Sequence, residues 1–466
     1  ALELRPDWCW AIASRGTTYQ KMGFNDFAIR DFTRALELND RYASVIAKRA
    51  TVYRQIEQYD DALEDLNRAI YLQPNDPTLY ALRGELYQHT ASYEESLADF
   101  NKAIELDPNF VGGIAARGAT YRRMAQYAEA LLDFSRAAEM DPSLVAVVAN
   151  QAESYRKLGR YEEALECFTR AIEYKPDYIW AIAGRGETYR RMKRYQDALV
   201  DFDRALELDP SNTWILAVRG MTYRLMEQYE RALVDFNMAV GFDPNYHGAL
   251  ALRGETHRRL KNIIKAIKDF SRALQIKQDN WTFSGRGEAL FQLNHYTEAL
   301  ADFNQAIAIY PRDKWALTWR ARTYQKIKRY SKALEDYTQV IDFEPNDDEL
   351  RMTRALLYQY TGNEGLAYID FEKAIEIGQA AYEANPMNTS NMLHLALYHL
   401  AVNNFDQSDA LCEEALAGQI TNETLEEVLE HIADFMYVFP THKRVAMMQQ
   451  KVMRKRGSPQ MTAPSV

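Results

Sequence analysis

The chain has 466 residues, 47% hydrophobic and 26% charged, with only 20 glycines and 14 prolines; wholesale disorder, collagen and low-complexity sequence are excluded. Its 56 basic and 66 acidic residues leave a net charge of −10, which argues against nucleic acid as the main partner, because phosphate neutralisation wants net or patched positive charge. No apolar run approaches the roughly 18–20 residues of a membrane span, and three scattered cysteines (Cys9, Cys167, Cys412) form neither a metal spacing nor a disulfide framework, so no membrane partner is expected and the setting is read as cytoplasmic.

The opening ALELRP matches RALELDP further along, so residues 1–8 are expected to end a helix of an earlier repeat, in a chain that is the C-terminal portion of something longer. From Cys9 to Ala381 the sequence repeats with an offset of 34, in eleven units starting at Cys9, Ala43, Pro77, Val111, Val145, Ile179, Thr213, His247, Asn280, Lys314 and Asp348. Each unit reads as two helices. Position 8 is always Gly or Ala, position 20 is Ala except for Ser96, and position 27 is Ala except for Val340. Small residues there let two backbones approach, and aromatics at position 24 (Phe32, Phe100, Phe134, Phe202, Phe303) fill the space beside them. Tyrosine at positions 11 and 17 accounts for 17 of the 30 tyrosines, so most tyrosines are scaffold. Proline at position 32, from Pro74 to Pro345, stops the second helix. The unit at His247 is one residue short and has Gln278 in place of that proline, which predicts an irregular step near Lys277–Trp281. Residues 382–422 read as an extension and a degenerate twelfth unit, 423–456 as two capping helices, and 457–466 as a disordered tail.

The 34-residue period with Gly/Ala at 8, Tyr at 11, Ala at 20, an aromatic at 24, Ala at 27 and Pro at 32 resembles the tetratricopeptide repeat (TPR) family over about four fifths of the chain. The resemblance implies an all-α right-handed superhelix, an α-solenoid, with helix A of each unit lining a concave groove that binds protein or peptide. The carboxylate clamp of co-chaperone TPRs, with Lys at 5 and Asn at 9, is absent: position 5 is Ala in the first eight units, from Ala13 to Ala251. The asparagine ladder of sugar-transferase TPRs fails too, because only Asn150 stands at position 6.

Position 7 is Arg in ten units and position 23 is Asp in ten, and the exceptions, Gln151 and Cys167, share one unit. That coincidence predicts structural ion pairs, for example Arg185 with Asp201 and Arg219 with Asp235. An arginine ladder for an acidic ligand is the functional alternative. Positions 2, 5, 9, 12 and 13 share the presumed concave side of helix A. Position 2 holds Trp10, Trp180, Trp214, Trp281 and Trp315, read either as packing on the preceding unit or as aromatic anchors for a partner. Positions 12 and 13 are basic in the middle units, including Arg156, Arg190, Arg224 and Arg258, and Glu153, Glu187 and Glu255 are too few to neutralise them. Partner-binding residues are therefore expected at Trp180, Trp214, Trp281, Trp315, Arg156, Arg190, Arg224 and Arg258, for a protein or peptide with acidic and apolar side chains.

No HExxH, P-loop or GxSxG motif occurs, and GRGETY (184–189) lies inside a helix, so no catalysis, cofactor or metal is expected. His394 and His399 read as satisfied histidines, and Cys412 as packed. The function expected is non-catalytic partner recognition, as the sensor module of a larger protein resembling bacterial STAND-type signalling or defence proteins. The alternative is a freestanding scaffold that assembles a multiprotein complex. Oligomeric state stays open.

Overall fold

The structure is a computed structural model that describes residues 5–440 and 442–457. Residues 1–4 of the opening segment and 458–466 of the expected tail lie outside the described residues. Twenty-six α-helices and no strand occur among the described residues. The chain falls into two compact units, residues 1–242 and 243–466, each an all-α solenoid of stacked helix pairs.

From Cys9 to Phe343 every repeat has a 13-residue helix A and a 14-residue helix B, as in Ile179–Arg191 with Tyr195–Leu208. One turn geometry joins them throughout. Position 15 is left-handed in every repeat, as Gly23, Gly159 and Gly362 but also as Ala91, Ala125 and Lys193. The next residue's N–H closes back on the position 11 carbonyl, for instance Phe24 to Tyr19 and Ser92 to Tyr87, both at 2.9 Å. This is the Schellman closure of a helix C-terminus, and it sends helix B back along helix A.

Packing within each pair rests on small against large. Phe32, Phe100, Phe134, Phe168, Phe202, Phe236, Phe270 and Phe303 are fully buried at position 24. A Cβ at Gly186 would come 2.9 Å from Phe202, and one at Gly287 2.6 Å from Phe303. Gly186→Val should therefore overpack this contact and cost about 1–3 kcal/mol, read as an earlier denaturant midpoint. An unchanged midpoint would mean that the ring has room to move.

Ten Arg–Asp pairs join helix A to helix B, all at 2.6–2.9 Å, from Arg15–Asp31 to Arg354–Asp370. Each is a two-point grip by Nε and one terminal nitrogen, the geometry that suits a planar guanidinium. Arg185 meets Asp201 at 2.8 Å, and Arg219 meets Asp235 at 2.6 Å. Burial pushes the Asp235 carboxyl up, and the Arg219 guanidinium opposes that shift. The remaining arginine nitrogen reaches back to the preceding repeat: Arg185 to Thr169 at 3.2 Å, Arg219 to Asp203 at 2.7 Å, Arg320 to Asn304 at 2.7 Å. Each pair thus fixes a helix hairpin, and those of Arg49, Arg83, Arg117, Arg185, Arg219, Arg286, Arg320 and Arg354 also tie it to the repeat before. In the repeat at Val145, Gln151 keeps the backward tie, to Ser135 at 2.9 Å, and its side-chain carbonyl accepts from Arg170 at 3.1 Å and from the Cys167 thiol at 3.6 Å.

The short repeat gives three residues, 277–279, between helices that elsewhere have four, and Asp279 caps the next helix by accepting from Thr282 N at 3.0 Å.

The C-terminal part departs from the 34-residue pattern. The extra residues after Ile377 are absorbed by lengthening one helix B to 21 residues, Glu364–Ala384. Helices Thr389–Ala401 and Phe405–Ala417 form the next pair, with Asn403 left-handed between them. The last helix, Lys443–Gly457, covers that pair through Arg444–Asp409 at 2.7 Å and Lys451–Glu413 at 3.0 Å. The penultimate helix, Asn422–Val438, does not stack as a cap. It lies on the helix A side of the array, against Asp348–Tyr360 and Thr389–Ala401.

Candidate functional site

The helix A face carries an ionic ladder. Arg156 grips Glu153 at 2.6 Å and also faces Glu187 of the next repeat at 3.6 Å. Arg190 grips Glu187 at 2.6 Å, and Arg258 grips Glu255 at 2.7 Å and bonds Glu288 of the next repeat. The side chains of Arg156, Arg190 and Arg258 are only 9–11% exposed. Arg224 is also engaged within the protein. Arg156, Arg190 and Arg258 therefore each stand beside a carboxylate, and Lys157, Arg191 and Arg259 share those same glutamates. For Glu187 and Glu255 burial opposes ionisation, yet the adjacent guanidinium groups hold both carboxyls below the usual range. Arg122 differs. It is half-buried, has no acidic partner among the described residues, and its Nε is buried without a hydrogen-bond partner.

The tryptophans fall into two groups. Trp180 and Trp214 remain 38% and 44% exposed, although the Trp180 ring also meets Phe168 of the preceding repeat edge-on at 6.3 Å. Trp281 and Trp315 are half-buried and lie 6.3 Å apart, and Trp315 Nε1 donates to Glu288 at 2.8 Å. The first pair is thus more exposed and the second more packed.

In residues 243–466 the same helix A positions carry the penultimate helix. Its Leu425, Val428, Ile432 and Phe435 are fully buried. His431, Asp434 and Phe435 share the lining of a small cavity with Glu349, Met352 and Leu356, which are positions 2, 5 and 9 of the Asp348 repeat. Arg322, position 9 of the repeat before, stacks on Trp319 at 5.0 Å and faces Glu430 at 3.9 Å. A polar chain crosses the seam: Glu349 to His394 Nδ1 at 3.1 Å, and His394 Nε2 to His431 Nδ1 at 3.2 Å. Burial opposes charging of His394, but Glu349 outweighs it and raises that imidazole. Burial, then the charge of His394, pushes His431 down to about 4. The reading of His394 as a satisfied histidine agrees with this place. Arg322, Glu349 and His431 were not legible as a cluster, although position 5 changes from Ala to Ser284, Thr318 and Met352 where the seat forms.

Among the described residues no cluster of three or more His, Cys, Asp or Glu could hold a metal, and no helix is long and apolar enough to cross a membrane. Burial raises the Cys412 thiol to about 11, which keeps it protonated and unreactive near neutral pH.

Models of the tetratricopeptide repeat match residues 50–117, 144–211, 247–280 and 290–357, together just over half of the chain. The chain therefore belongs to the tetratricopeptide repeat family, whose helical arrays act as protein-interaction scaffolds. No curated protein shows significant similarity to it. Among solved structures it is similar to a tetratricopeptide repeat protein from Parabacteroides merdae, at 17% identity and TM-score 0.45, covering 53% of this chain and 98% of that one. It is also similar to YrrB, a TPR protein with an unusual peptide-binding site, at 25% identity and TM-score 0.34, covering 40% and 95%. MamA is a third, at 20% identity and TM-score 0.32, covering 34% and 94%.

Proposed function

We propose that this array is a non-catalytic recognition module that binds a protein or peptide on its helix A face, within a larger cytoplasmic protein of the STAND-type sensor kind. The observation that supports it most is the pair of half-exposed tryptophans, Trp180 and Trp214, on successive helices A. Exposed tryptophan is costly in water, and it leads among the residues that anchor interfaces. The neighbouring position 5 residues are Ala183 and Ala217, so a partner side chain can lie beside each ring. Within residues 243–466, Trp281 and Trp315 hold the same helix A position with less free surface. Arg156, Arg190, Arg224 and Arg258 act here through the ladder that holds helix A in place, and they tune the field that an acidic partner meets.

The test uses peptides selected against the intact chain from a random display library. Trp214→Ala should weaken the selected peptides by about 2 kcal/mol, close to 30-fold, with the melting temperature unchanged. A variant that melts several degrees lower and binds as before would assign the row to packing instead.

A further inference from the structure

We infer that Tyr360 and Tyr437 form a site of oxidative cross-linking, at which one-electron oxidation joins the two rings and fastens the penultimate helix to helix A of the Asp348 repeat. The inference stands apart from the question of where a partner binds.

Three tyrosines of residues 243–466 converge at the end of the penultimate helix. Tyr437 lies in the last turn of that helix, Tyr360 ends helix A of the Asp348 repeat, and Tyr330 opens helix B of the repeat before. The Tyr360 ring stands 5.1 Å from that of Tyr437, centre to centre, with the planes 30° apart. It stands 5.2 Å from the Tyr330 ring, which it meets edge-on. The Tyr330 and Tyr437 hydroxyls are 3.3 Å apart. The ortho carbons at which phenoxyl radicals couple flank the hydroxyl, so hydroxyls that converge bring those carbons together. Of the two ring contacts, the one between Tyr360 and Tyr437 is nearer to face-to-face, and it is the one that joins the two helices.

Both rings are open to an oxidant, Tyr360 at 44% exposure and Tyr437 at 57%. Hydrogen bonds from Tyr437 and then Tyr330, with the charge of Lys328 beyond, hold the Tyr360 phenol below its ordinary value. A phenol nearer to ionisation gives up an electron more readily. Exposure alone does not make such a site. Tyr71 is 85% exposed but has no tyrosine ring beside it among the described residues.

The oxidant is a haem peroxidase working with hydrogen peroxide. Each phenol gives up one electron and one proton and becomes a phenoxyl radical. The two radicals pair into a carbon–carbon bond between ortho carbons, and the hydrogens on those carbons move through solvent to the oxygens, which restores two phenols. The peroxide takes up the two electrons and two protons and leaves as two waters. The resulting dityrosine closes a loop of chain that contains the Thr389 pair and most of the penultimate helix. Closing that loop removes conformational freedom from the opened state, so the helix is held on its seat.

The test treats the intact chain, at low concentration, with a haem peroxidase and hydrogen peroxide. The expected result is dityrosine fluorescence on a chain that keeps its monomer mass. Digestion should release a fragment joining the Tyr360 and Tyr437 peptides, lighter than their sum by the two hydrogens lost. Tyr360→Phe and Tyr437→Phe keep a ring in place and should each abolish that fragment, whereas Tyr330→Phe should retain it. Unfolding the chain in urea before oxidation should also abolish it. In the cross-linked chain the amides of residues 422–438 should exchange in acid about tenfold more slowly than in the parent. Cross-links at other tyrosines alone, a fragment that persists in Tyr437→Phe or in urea, or no cross-link at all would overturn the inference. Equal exchange in the cross-linked and parent chains would overturn the fastening.

Discussion

Asp201→Ala is expected to cost about 3 kcal/mol, far more than the removal of an exposed ion pair. The Arg185 side chain is 18% exposed and the Asp201 side chain 4%, so the variant leaves a guanidinium largely out of water with only Thr169 as partner. The loss is local in origin, but it weakens both the hairpin and its tie to the preceding repeat. In a solenoid, where stability is a sum of repeat and interface terms, opening should start at this repeat. Hydrogen exchange of the amides in Ile179–Leu208 measures that opening. The double variant Arg185→Gln with Asp201→Cys copies what Gln151 and Cys167 do one repeat earlier, where Gln151 keeps the backward bond and the thiol fills the carboxylate's place. It should recover most of the loss, because no charge is left buried without its partner. If the single variant exchanges like the parent, the pairs are surface decoration and contribute nothing to stacking.

The repeated elements were legible because their information is local and recurs. Arg at position 7 and Asp at position 23 sit at fixed places on two helices whose turn geometry never varies, so one pairing implies ten. The pairing of the basic residues was only partly legible, because charges were counted within single helices. Arg156 and Arg258 each reach a glutamate of the next repeat, Glu187 and Glu288, and that sharing is visible only in the stack. The seat of the penultimate helix was illegible for a different reason. Tyr437 meets Tyr330 across 107 positions, and no periodicity records a contact of that range. The faint mark was compositional: the alanine floor ends after Ala251, and Arg322 and Leu356 appear at position 9, where the first eight units have only Thr, Glu, Met or Ala.

Acid is expected to loosen the penultimate helix first. His431 faces His394 from helix A of the Thr389 repeat, Glu349 beyond it, Arg322 from the Lys314 repeat, and Asp434 and Glu430 on its own helix. Burial, then the charged His394, holds His431 near 4 in the folded protein against an ordinary value of 6.5. Between those values the unfolded chain binds a proton that the folded chain refuses, so stability falls as pH falls through this window. The sum for one such group is about 2 kcal/mol lost by about pH 5, relative to neutral or above. His394 works in the opposite sense: its raised imidazole contributes stability that grows as pH falls and is complete below the ordinary value of 6.5, so it offsets part of the loss from His431. Glu349, held near 2, stays ionised throughout, and its stabilising part is lost only in stronger acid. The folded seat thus accepts one proton readily and a second only at a cost. Hydrogen exchange of residues 422–438, compared at about pH 5 and about pH 7.5 after correction for intrinsic rates, should show larger opening in acid, while residues 9–242 change little. His431→Gln retains an acceptor for His394 Nε2–H, its side-chain carbonyl, and cannot charge, so it should flatten the dependence. An unchanged acid response in that variant would move the cause to another group and remove His431 from the account.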